Sequence, residues 1–407
     1  MQKLFLTEKE IRGLLEKFGS PLYVYDEQIL RKCCREMRSI LDVPNAHVSY
    51  SVKANTNLRV LQIAHEEQLY ADTMSPGEVF MALKAGYKPH EILYVCNNVS
   101  GEEMKYCADQ DILISIDSVS QMETLARTCP GARASVRVNT EFGDGHHEKV
   151  VTAGKKTKFG VELRFMDEIR RIADEAGIRI VGLNQHIGSS VKDPGNYEAA
   201  ANVLIDEAMH FPDLEMLDFG GGFAVPYRDE DQELDLDAMR AMFRRIWDRV
   251  SAEHPNGKNI SLHTEPGRYI SAACGQLLGT VEAVKENFGK TYIGTDIGFN
   301  VLARPMLYDA YHEIVFPGHE DGEKKAVTVA GNICESGDVL AKDRLLPIPE
   351  VGDPIAILTA GAYGYMMSST YNCRLRPAEV LIRQDGSAEL IRRRETFEDL
   401  LATFNLD

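Results

Sequence analysis

Residues 47–64 read HVSYSVKANTNLRVLQIA, and they join a short β-rich run to the start of a helical pattern. The run covers 47–52, and Val60, Ile63 and Ala64 then follow at the i, i+3, i+4 spacing of an amphipathic helix. A strand followed by a helix is the repeating unit of parallel α/β folds. The fold therefore depends on how often this unit recurs.

The unit recurs through the following part of the chain, where β-rich runs are separated mostly by helical patterns. The runs are 47–52, 69–72, 92–95, 112–116, 134–138, 179–186, 215–219 and 260–263. Helical spacing is clear at Ile169, Ile172, Ala173 and Ala176, and Pro76 stands where it can begin another helix. Eight strands that alternate with helices predict an α/β fold of the (β/α)8 TIM-type barrel class.

The pattern changes after Arg268, where β-rich runs follow one another and Gly, Pro and Asn occur among their connections. These runs are 291–295, 325–329, 354–358, 379–382 and 388–392. They predict a second, mostly antiparallel β domain, and we expect the early run 22–25 to pair with it. The predicted domains are 27–268 for the barrel, and 1–26 together with 269–407 for the β domain.

Length and charge exclude several classes of protein. A chain of 407 residues is too long for one ordinary core, in agreement with two domains. Its formal net charge of −17 argues against a nucleic-acid partner, because such binding needs clustered Lys and Arg. No apolar run approaches the roughly 20 residues of a membrane span, and the first residues do not resemble a secretory signal. We therefore expect a cytoplasmic protein without a membrane or nucleic-acid partner.

The cysteines give no sign of a metal site. They are Cys33, Cys34, Cys96, Cys107, Cys129, Cys274, Cys334 and Cys373. Their positions lack the repeated CxxC spacing that is typical of zinc ligands. We interpret them as reduced thiols, most of which fill the core, and we expect no metal.

Unusual residues stand at the predicted carboxyl ends of the barrel strands, the face on which such barrels build their sites. Lys53 closes the first strand, His186 closes the sixth, and Glu265 follows the eighth. Three glycines, 220–222, follow the seventh. Loops after strands seven and eight commonly bind phosphate, since backbone without side chains can bring several N–H groups to one anion.

Each of these features also has a simpler explanation when it is taken alone. A lysine at a strand end is usually a solvated charge, a histidine in an apolar strand is usually a hydrogen-bonded core residue, and three glycines can form a mere turn. Their coincidence at one face favours function. A reactive amine, a ring that can stack on a flat cofactor, a phosphate cradle and a carboxylate together describe a pyridoxal-phosphate site.

Chemistry assigns a role to each group of that site. Lys53 is predicted to hold the cofactor as a Schiff base, which requires partial desolvation so that its amine is neutral. Glu265 is predicted to keep the pyridine nitrogen protonated, so that the ring accepts electrons when carbon dioxide leaves Cα. His186 would pack flat against the ring. Ser189 and three glycines would hold the phosphate, the glycines being Gly221, Gly222 and Gly267.

These residues, in this order, resemble the alanine-racemase-like class of pyridoxal-phosphate-dependent decarboxylases, and within it the branch that acts on meso-2,6-diaminopimelate. The resemblance runs from about residue 21 to residue 381. It is carried by 50–55, 72–78 (DTMSPGE), 145–149 (GHHEK), 158–160, 186–189, 218–222, 265–268, 304–308 (RPMLY), 334–338 (CESGD), 361–363 and 371–379. One such match is weak, whereas so many in order are specific. The implied reaction is decarboxylation to L-lysine and carbon dioxide.

The resemblance also implies roles for residues beyond the barrel. Cys334 is implied as the acid that reprotonates Cα, contributed by the opposing subunit of a homodimer with shared active sites. A free cysteine is more often a small buried hydrophobe, but the flanking Glu335 and Asp338 favour a functional loop. Tyr363 is implied at the cofactor phosphate and the substrate, although it could be a half-buried strand aromatic.

Substrate choice depends on the far end of the amino acid. The resemblance implies that Arg268, Arg304 and Tyr308 bind the distal carboxylate, with Arg268 also beside the cofactor, and that Glu335 binds the distal ammonium. Arg and Tyr donate hydrogen bonds, whereas Glu accepts them. A substrate without the carboxylate would leave a buried charge unpaired, so we expect lysine and ornithine to be rejected. Arg304 and Tyr308 could instead be ordinary surface residues. Asp309 departs from the family, in which glycine is common at this position.

Three alternatives remain open. A sister decarboxylase could act on ornithine, arginine, carboxynorspermidine or a carrier-bound glutamyl group, although Arg304 and Tyr308 argue against the simple diamine precursors. A racemase on the same barrel would need a tyrosine base in place of Cys334. A catalytically silent binding protein would be expected to lack Lys53 or the phosphate cradle, and both are present.

Overall fold

The computed structural model describes residues 4–141, 144–145, 154, 157–189 and 191–405. Most of the GHHEK motif, residues 146–149, therefore lies outside the described residues. The chain packs as two compact units. The first contains Arg31–Val225 and Glu233–Ile270, and the second contains Met1–Leu30, Pro226–Gln232 and Ser271–Asp407.

Strands occur in both units. In chain order they are β1 (Leu22–Asp26), β2 (Ala46–Ser51), β3 (Tyr70–Thr73), β4 (Ile92–Val95), β5 (Leu113–Ile116), β6 (Arg133–Asn139), β7 (Asp144–Gly145), β8 (Val161–Glu162), β9 (Arg179–Asn184), β10 (Gly188–Ser189), β11 (Met216–Asp218), β12 (Ser261–Thr264), β13 (Gly275–Asn287), β14 (Lys290–Thr295), β15 (Ile314–Val315), β16 (Lys324–Ala330), β17 (Val339–Pro347), β18 (Pro354–Ile357), β19 (Ala378–Ile382) and β20 (Ala388–Arg392).

Helices connect most of the first twelve strands and become rare afterwards. They are α1 (Glu8–Phe18), α2 (Glu27–Ile40), α3 (Leu58–Glu66), α4 (Pro76–Ala85), α5 (Gly101–Ala108), α6 (Val119–Thr128), α7 (Met166–Ala176), α8 (Pro194–Ala208), α9 (Leu236–Glu253), α10 (Arg268–Ser271), α11 (Arg304–Tyr308) and α12 (Phe397–Leu401). Within the described ranges, none of the helices combines the length and apolar character needed to cross a bilayer.

Local sequence explains where these helices begin and end, as α4 illustrates. Ser75 precedes it, and the Ser75 hydroxyl accepts a hydrogen bond from the backbone N–H of Glu78 at 3.2 Å. Pro76 occupies the first turn, where a missing N–H removes no helical hydrogen bond. Gly86 ends the helix with φ of 108°, a conformation that glycine adopts without strain. The helix start predicted at Pro76 is confirmed.

The first unit contains a closed barrel of eight parallel strands. Their order around the barrel is β2, β3, β4, β5, β6, β9, β11 and β12. Closure comes from pairing of β12 with β2, in which Thr264 lies opposite Val48. The eight predicted strand runs and the barrel fold are thus confirmed, and the carboxyl ends of all eight strands face the same end of the barrel.

The second unit contains a mixed, mostly antiparallel sheet, as predicted. Its strands run in the order β17, β16, β14, β13, β1, β19 and β20, and β18 pairs with both β13 and β15. Parallel pairing occurs between β1 and β19 and between β14 and β16. Apolar side chains of α1 pack on this sheet, where Ile11 and Leu14 join Leu22, Leu278 and Val380 in one buried cluster.

Candidate active site

Lys53 lies in a 3₁₀ turn, Val52–Ala54, immediately after β2. Its Nζ donates a hydrogen bond to Oδ2 of Asp72 at 3.1 Å, and the Ser51 hydroxyl donates to the same oxygen at 2.8 Å. The Lys53 side chain is 33% exposed, whereas Asp72 is fully buried. Lys53 therefore combines access from solvent with a fixed ionic partner, unlike a freely solvated surface lysine.

Two buried carboxyl groups lie at the same end of the barrel, Asp218 at the end of β11 and Glu265 directly after β12. Burial, with Asp218 and Asp72 nearby, raises the pKa of Glu265 well above its usual value. Burial also raises the pKa of Asp218 to about 7, although the N–H of Gly220 donates to its Oδ1 at 2.8 Å and opposes the shift. The pair therefore retains a proton near neutral pH.

His186 follows β9 and is held by the glycine loop. The backbone N–H of Gly221 donates to its Nδ1 at 3.0 Å, so the ring proton must be on Nε2. Burial lowers the pKa of His186 well below its usual value, and the cations Lys53 and Arg137 add to the effect. The ring is therefore a neutral imidazole that can offer an uncharged face to a planar group.

The glycine loop at 220–222 is too tightly packed for side chains. A Cβ on Gly221 would lie 1.9 Å from the carbonyl oxygen of Glu265, and one on Gly222 would lie 2.2 Å from that of Gly188. The N–H of Val191 donates to the Gly222 carbonyl at 2.8 Å, which brings the segment containing Ser189 beside the loop. The predicted phosphate residues Ser189, Gly221 and Gly222 thus come together.

Two buried hydroxyl groups fix the start of this loop. Those of Tyr197 and Thr264 donate to the Gly220 carbonyl at 2.8 Å and 2.6 Å. Gly220 itself has φ of 71°, which favours glycine. Contacts with the barrel therefore fix the conformation of this loop.

The segment after β12 packs against the Lys53 turn. A Cβ on Gly267 would lie 2.9 Å from Cβ of Ser51 and 3.1 Å from Cβ of Ala54, the two residues on either side of Val52 and Lys53. A larger residue would thus displace the lysine. Arg268, at the start of α10, is partly exposed at this end.

Sequence reasoning assigned no role to four charged residues of this site. They are Asp72, Glu78, Arg137 and Asp218. Arg137 is 5% exposed on β6, and burial lowers its pKa although Glu265 and other carboxylates oppose the effect. Burial raises the pKa of Glu78 to about 7. The sequence could have indicated a role for Arg137, because it is the charged residue in the otherwise uncharged β-rich run 134–138.

The second unit carries the other predicted residues, and Arg304 is prominent among them. It is 3% exposed, and its Nη1 donates to the Tyr227 hydroxyl at 3.1 Å and to Nε2 of His312 at 2.8 Å. Nδ1 of His312 lies 3.0 Å from the Leu358 carbonyl, so Nδ1 bears the proton and Nε2 accepts. The alternative of an ordinary surface residue is wrong for Arg304. Tyr308 ends the same helix and is half-buried.

Cys334 and Glu335 are exposed in the loop between β16 and β17. The alternative of a small buried hydrophobe is therefore wrong for Cys334. This loop lies near α11, because a Cβ on Gly337 would be 4.0 Å from the side chain of Met306. Tyr363 is half-buried in a turn and has φ of 55°, an uncommon conformation for a bulky residue that often accompanies function.

The barrel residues fit pyridoxal phosphate. They offer an amine, a neutral imidazole face, a cradle at Gly221 and Gly222 that is too tight for side chains, and the buried carboxyl of Glu265 beside that of Asp218. A protonated ring nitrogen suits two adjacent buried carboxyl groups, because its charge offsets theirs. The barrel unit brings together Lys53, His186, Ser189, Gly221, Gly222, Glu265, Gly267 and Arg268, and the second unit carries Arg304, Tyr308, Cys334, Glu335 and Tyr363.

Known proteins resemble this chain over most of its length. Residues 27–272 match the family described as "Pyridoxal-dependent decarboxylase, pyridoxal binding domain". The chain is 42% identical to diaminopimelate decarboxylase of Methanothermobacter thermautotrophicus, over 97% of this chain and 93% of that protein. It is 36% identical to the Thermoplasma acidophilum protein of that name, over 98% and 96%. The Helicobacter pylori diaminopimelate decarboxylase complexed with L-lysine matches with a TM-score of 0.87 at 30% identity, covering 96% of this chain and 98% of that one.

Proposed function

Because this chain belongs to the pyridoxal-dependent decarboxylases, and among them to the diaminopimelate decarboxylases, we propose that it converts meso-2,6-diaminopimelate to L-lysine and carbon dioxide. It is a pyridoxal-phosphate-dependent amino-acid decarboxylase. The observation that carries the proposal is the position of Lys53. Its amine lies at the carboxyl end of a barrel strand, 3.1 Å from buried Asp72, and the glycine loop 220–222 lies at the same end of the barrel.

Residues from several strands would hold the cofactor. Lys53 would bond to its aldehyde carbon, Glu265 would accept a hydrogen bond from its ring nitrogen, and His186 would cover one face. Ser189 and the backbone N–H of Gly222 would donate to its phosphate, and Gly221, whose N–H is bonded to His186, would line the same cradle. When bound, pyridoxal phosphate supplies an electron-poor ring that accepts the electron pair left by departing carbon dioxide.

The first task of the site is to move a proton from Lys53, because only a neutral amine attacks an aldehyde. The Asp72 carboxylate, whose Oδ2 lies 3.1 Å from Nζ, favours the charged amine, so the proton leaves to solvent, to which the Lys53 side chain is 33% exposed. The Ser51 hydroxyl, bonded to the same oxygen at 2.8 Å, holds that carboxylate in place. Asp72 thus orients the amine.

The second task is to keep a proton on the cofactor ring. Glu265 is buried beside Asp218, so ionising both carboxyl groups without a cation is costly. A cation beside Glu265 removes that cost, since it pairs with the negative charge. Glu265 would therefore favour the protonated ring nitrogen over the neutral one.

The third task is to return a proton to the carbon that has lost carbon dioxide, and we assign it to Cys334. The thiol is exposed, so it can be presented to a substrate. Proton donation by a positioned thiol avoids dependence on a chance encounter with water. For substrate choice, we propose that the distal carboxylate binds Arg268, Arg304 and Tyr308, and that the distal ammonium binds Glu335. Tyr363 would contact both the substrate and the cofactor phosphate.

Burial of Arg304 supports this specificity. The Tyr227 hydroxyl and the neutral His312 are among its partners and fix the plane of the guanidinium. A fixed, buried cation favours a carboxylate and penalises a substrate that cannot provide one. Lysine, ornithine and arginine end in cationic groups, and meso-diaminopimelate ends in a carboxylate as well as an ammonium.

Carbon-dioxide release should be measured with pyridoxal phosphate and, in turn, meso-diaminopimelate, lysine, ornithine and arginine. We expect kcat/KM for meso-diaminopimelate to exceed the others by about a hundredfold or more, since a missing buried partner is strongly discriminated. Comparable or faster release from ornithine or arginine would contradict the proposed substrate and favour a sister decarboxylase.

We further propose a homodimer with shared active sites, in which Cys334 serves the opposing subunit. Its exposure supports this, because a thiol that acts on another subunit cannot be enclosed by its own. Mixing inactive Lys53→Ala and Cys334→Ala proteins should then restore activity. Absence of recovery after demonstrated subunit exchange would contradict shared sites.

We also propose that residues 27–268 act as the cofactor-binding domain, and that 1–26 and 269–407 form the other domain. The family match at 27–272 supports this division. A cytoplasmic location is proposed because the eight cysteines are free thiols, which suits a reducing compartment.

A further inference from the structure

The loop that contains Cys334 contacts a short 3₁₀ segment, Tyr371–Cys373. The Tyr371 hydroxyl donates to Oε1 of Glu335 at 2.8 Å. The side-chain amide of Asn372 contacts Cys334 twice, through the Cys334 backbone N–H to Oδ1 at 3.1 Å and through Nδ2 to Sγ at 3.3 Å. Tyr371 therefore hydrogen-bonds to Glu335, and its neighbour Asn372 hydrogen-bonds to Cys334.

The orientation of the Asn372 amide follows from chemistry. The backbone N–H of Cys334 can only donate, so it must face the amide oxygen. The amide nitrogen must then face the sulfur, to which it donates. Asn372 thus ties the thiol to the backbone of its own residue and limits its rotation about the Cα–Cβ bond.

The backbone conformation of Asn372 causes little strain. It has φ of 57° and ψ of 23°, in the left-handed region that asparagine and aspartate tolerate better than most residues. Asparagine therefore suits both requirements of the site, a left-handed backbone and a side chain that accepts and donates at once.

The loop keeps its shape by other means. Both carboxylate oxygens of buried Asp338 accept backbone N–H groups, from Phe299 at 2.6 Å and from Ile333 at 2.7 Å. These bonds do not involve Asn372. Loss of the Asn372 contacts should consequently release the thiol without unfolding the loop.

We propose that Asn372 is a positioning residue for Cys334, which it aims and whose sulfur it stabilises when the thiol gives up its proton. The inference rests on the proposed role of Cys334. In that step the S–H bond breaks, a C–H bond forms at the carbon that has lost carbon dioxide, and the electron pair stays on sulfur. The Nδ2–H group then donates to a negatively charged sulfur, which strengthens the hydrogen bond.

Asn372→Asp is the sharpest variant, because it keeps an oxygen for the Cys334 N–H and a residue that tolerates the left-handed backbone. It replaces the donor to sulfur with a negatively charged oxygen. Alkylation of Cys334 by iodoacetamide in cofactor-free protein, followed on its tryptic peptide by mass spectrometry, should slow about tenfold, because the donor to the reactive thiolate is lost. An unchanged rate would overturn the inference. Cys373→Ser, next to Asn372 and exposed, is the matched control and should leave the rate unchanged.

Steady-state kinetics with meso-diaminopimelate separates this inference from the proposed function. Asn372→Asp should lower kcat about tenfold with KM changed less than about twofold, and should have no further effect when Cys334 is already alanine. If Cys334→Ala leaves kcat unchanged, the proposed role of Cys334 is wrong. If Cys334→Ala slows turnover but Asn372→Asp does not, only the positioning role of Asn372 is wrong. The same holds if the loss of kcat in the double variant is the product of the losses in the two single variants.

Discussion

The Lys53 amine donates a hydrogen bond, 3.1 Å long, to a carboxylate oxygen of Asp72 that is entirely shielded from solvent. Each charge is therefore a partner of the other, and the amine is held at the carboxyl end of β2. The same end carries Glu265, His186 and the glycine loop, so changes at these residues should have separable effects.

Replacement of Lys53 by alanine should abolish covalent attachment of pyridoxal phosphate and reduce turnover by roughly a thousandfold or more, since the nucleophilic amine is lost. Borohydride reduction followed by peptide mass spectrometry should find the cofactor on the Lys53 peptide of the wild type and on no peptide of the variant. Lys84→Ala, on the exposed side of α4, is the control and should retain the label. Cofactor still reducibly bound to Lys53→Ala would refute the assignment.

Glu265→Gln should bind pyridoxal phosphate yet lower kcat by about a hundredfold, because an amide keeps the shape of the carboxyl but cannot neutralise a protonated ring nitrogen. Cofactor affinity should be measured by equilibrium dialysis beside carbon-dioxide release. Full turnover in the variant would show that the charge of Glu265 is not needed.

Asp218→Asn should remove a pH dependence of stability from the cofactor-free protein. The pKa of Asp218 is raised to about 7 in the folded chain, against about 3.9 in an unfolded one, so the folded state binds the extra proton. The stabilising contribution is complete below about pH 4 and is lost as the pH rises towards 7. The Tm of the variant relative to wild type should therefore increase over this interval. A constant difference would contradict the shift.

Gly221→Ala should destabilise the protein by about 1–3 kcal/mol and weaken cofactor binding, because the new methyl group would overlap the Glu265 carbonyl oxygen. Gly13→Ala is the matched control. Gly13 is exposed in the interior of α1, with nothing within 4 Å of a new Cβ, so alanine should stabilise by about 0.5–1 kcal/mol. Urea titration of both variants measures the two effects. If Gly221→Ala and Gly13→Ala have equal free energies of unfolding, the glycine loop can shift to accommodate a methyl group.

Arg304→Lys should lower kcat/KM for meso-diaminopimelate roughly tenfold to a hundredfold, because an ammonium retains charge but not the planar donor set. Its release of carbon dioxide from lysine should not increase, since a cation still faces the distal end of the substrate. Unchanged kcat/KM would remove Arg304 from substrate recognition.

The barrel could be predicted from sequence because each strand is a compact β-rich run followed by a helix with clear spacing. The strands of the second sheet were harder to predict from the sequence. Strand β13 is buried along its first half and exposed along its second, so no single periodicity covers residues 275–287. Sequence analysis did not single it out. Strand β17 was also missed, and its burial pattern has no regular alternation.

The candidate site was predictable where a motif carried a residue type with evident chemistry, as with Lys53 and the glycines. Asp72 and Asp218 were noticed only within motifs, because their importance depends on which strands become neighbours. Arg137 stands in an apolar run, but its function as a buried cation among carboxylates is a property of the closed barrel. Asn372 was noticed only as part of the segment 371–379, since its contact with Cys334 joins residues that are distant in sequence.

Strand β1 occupies the middle of its sheet, between β13 and β19. During synthesis, residues 22–26 emerge before the eight barrel strands, whereas their partners at 378–382 emerge after them. The barrel, whose strands follow one another along the chain, can therefore assemble during translation, while an early β1 must wait with unpaired edges. Chaperone dependence during synthesis should accordingly concentrate on residues 22–26, and removal of residues 378–382 should harm the nascent chain more than their distance from Lys53 suggests.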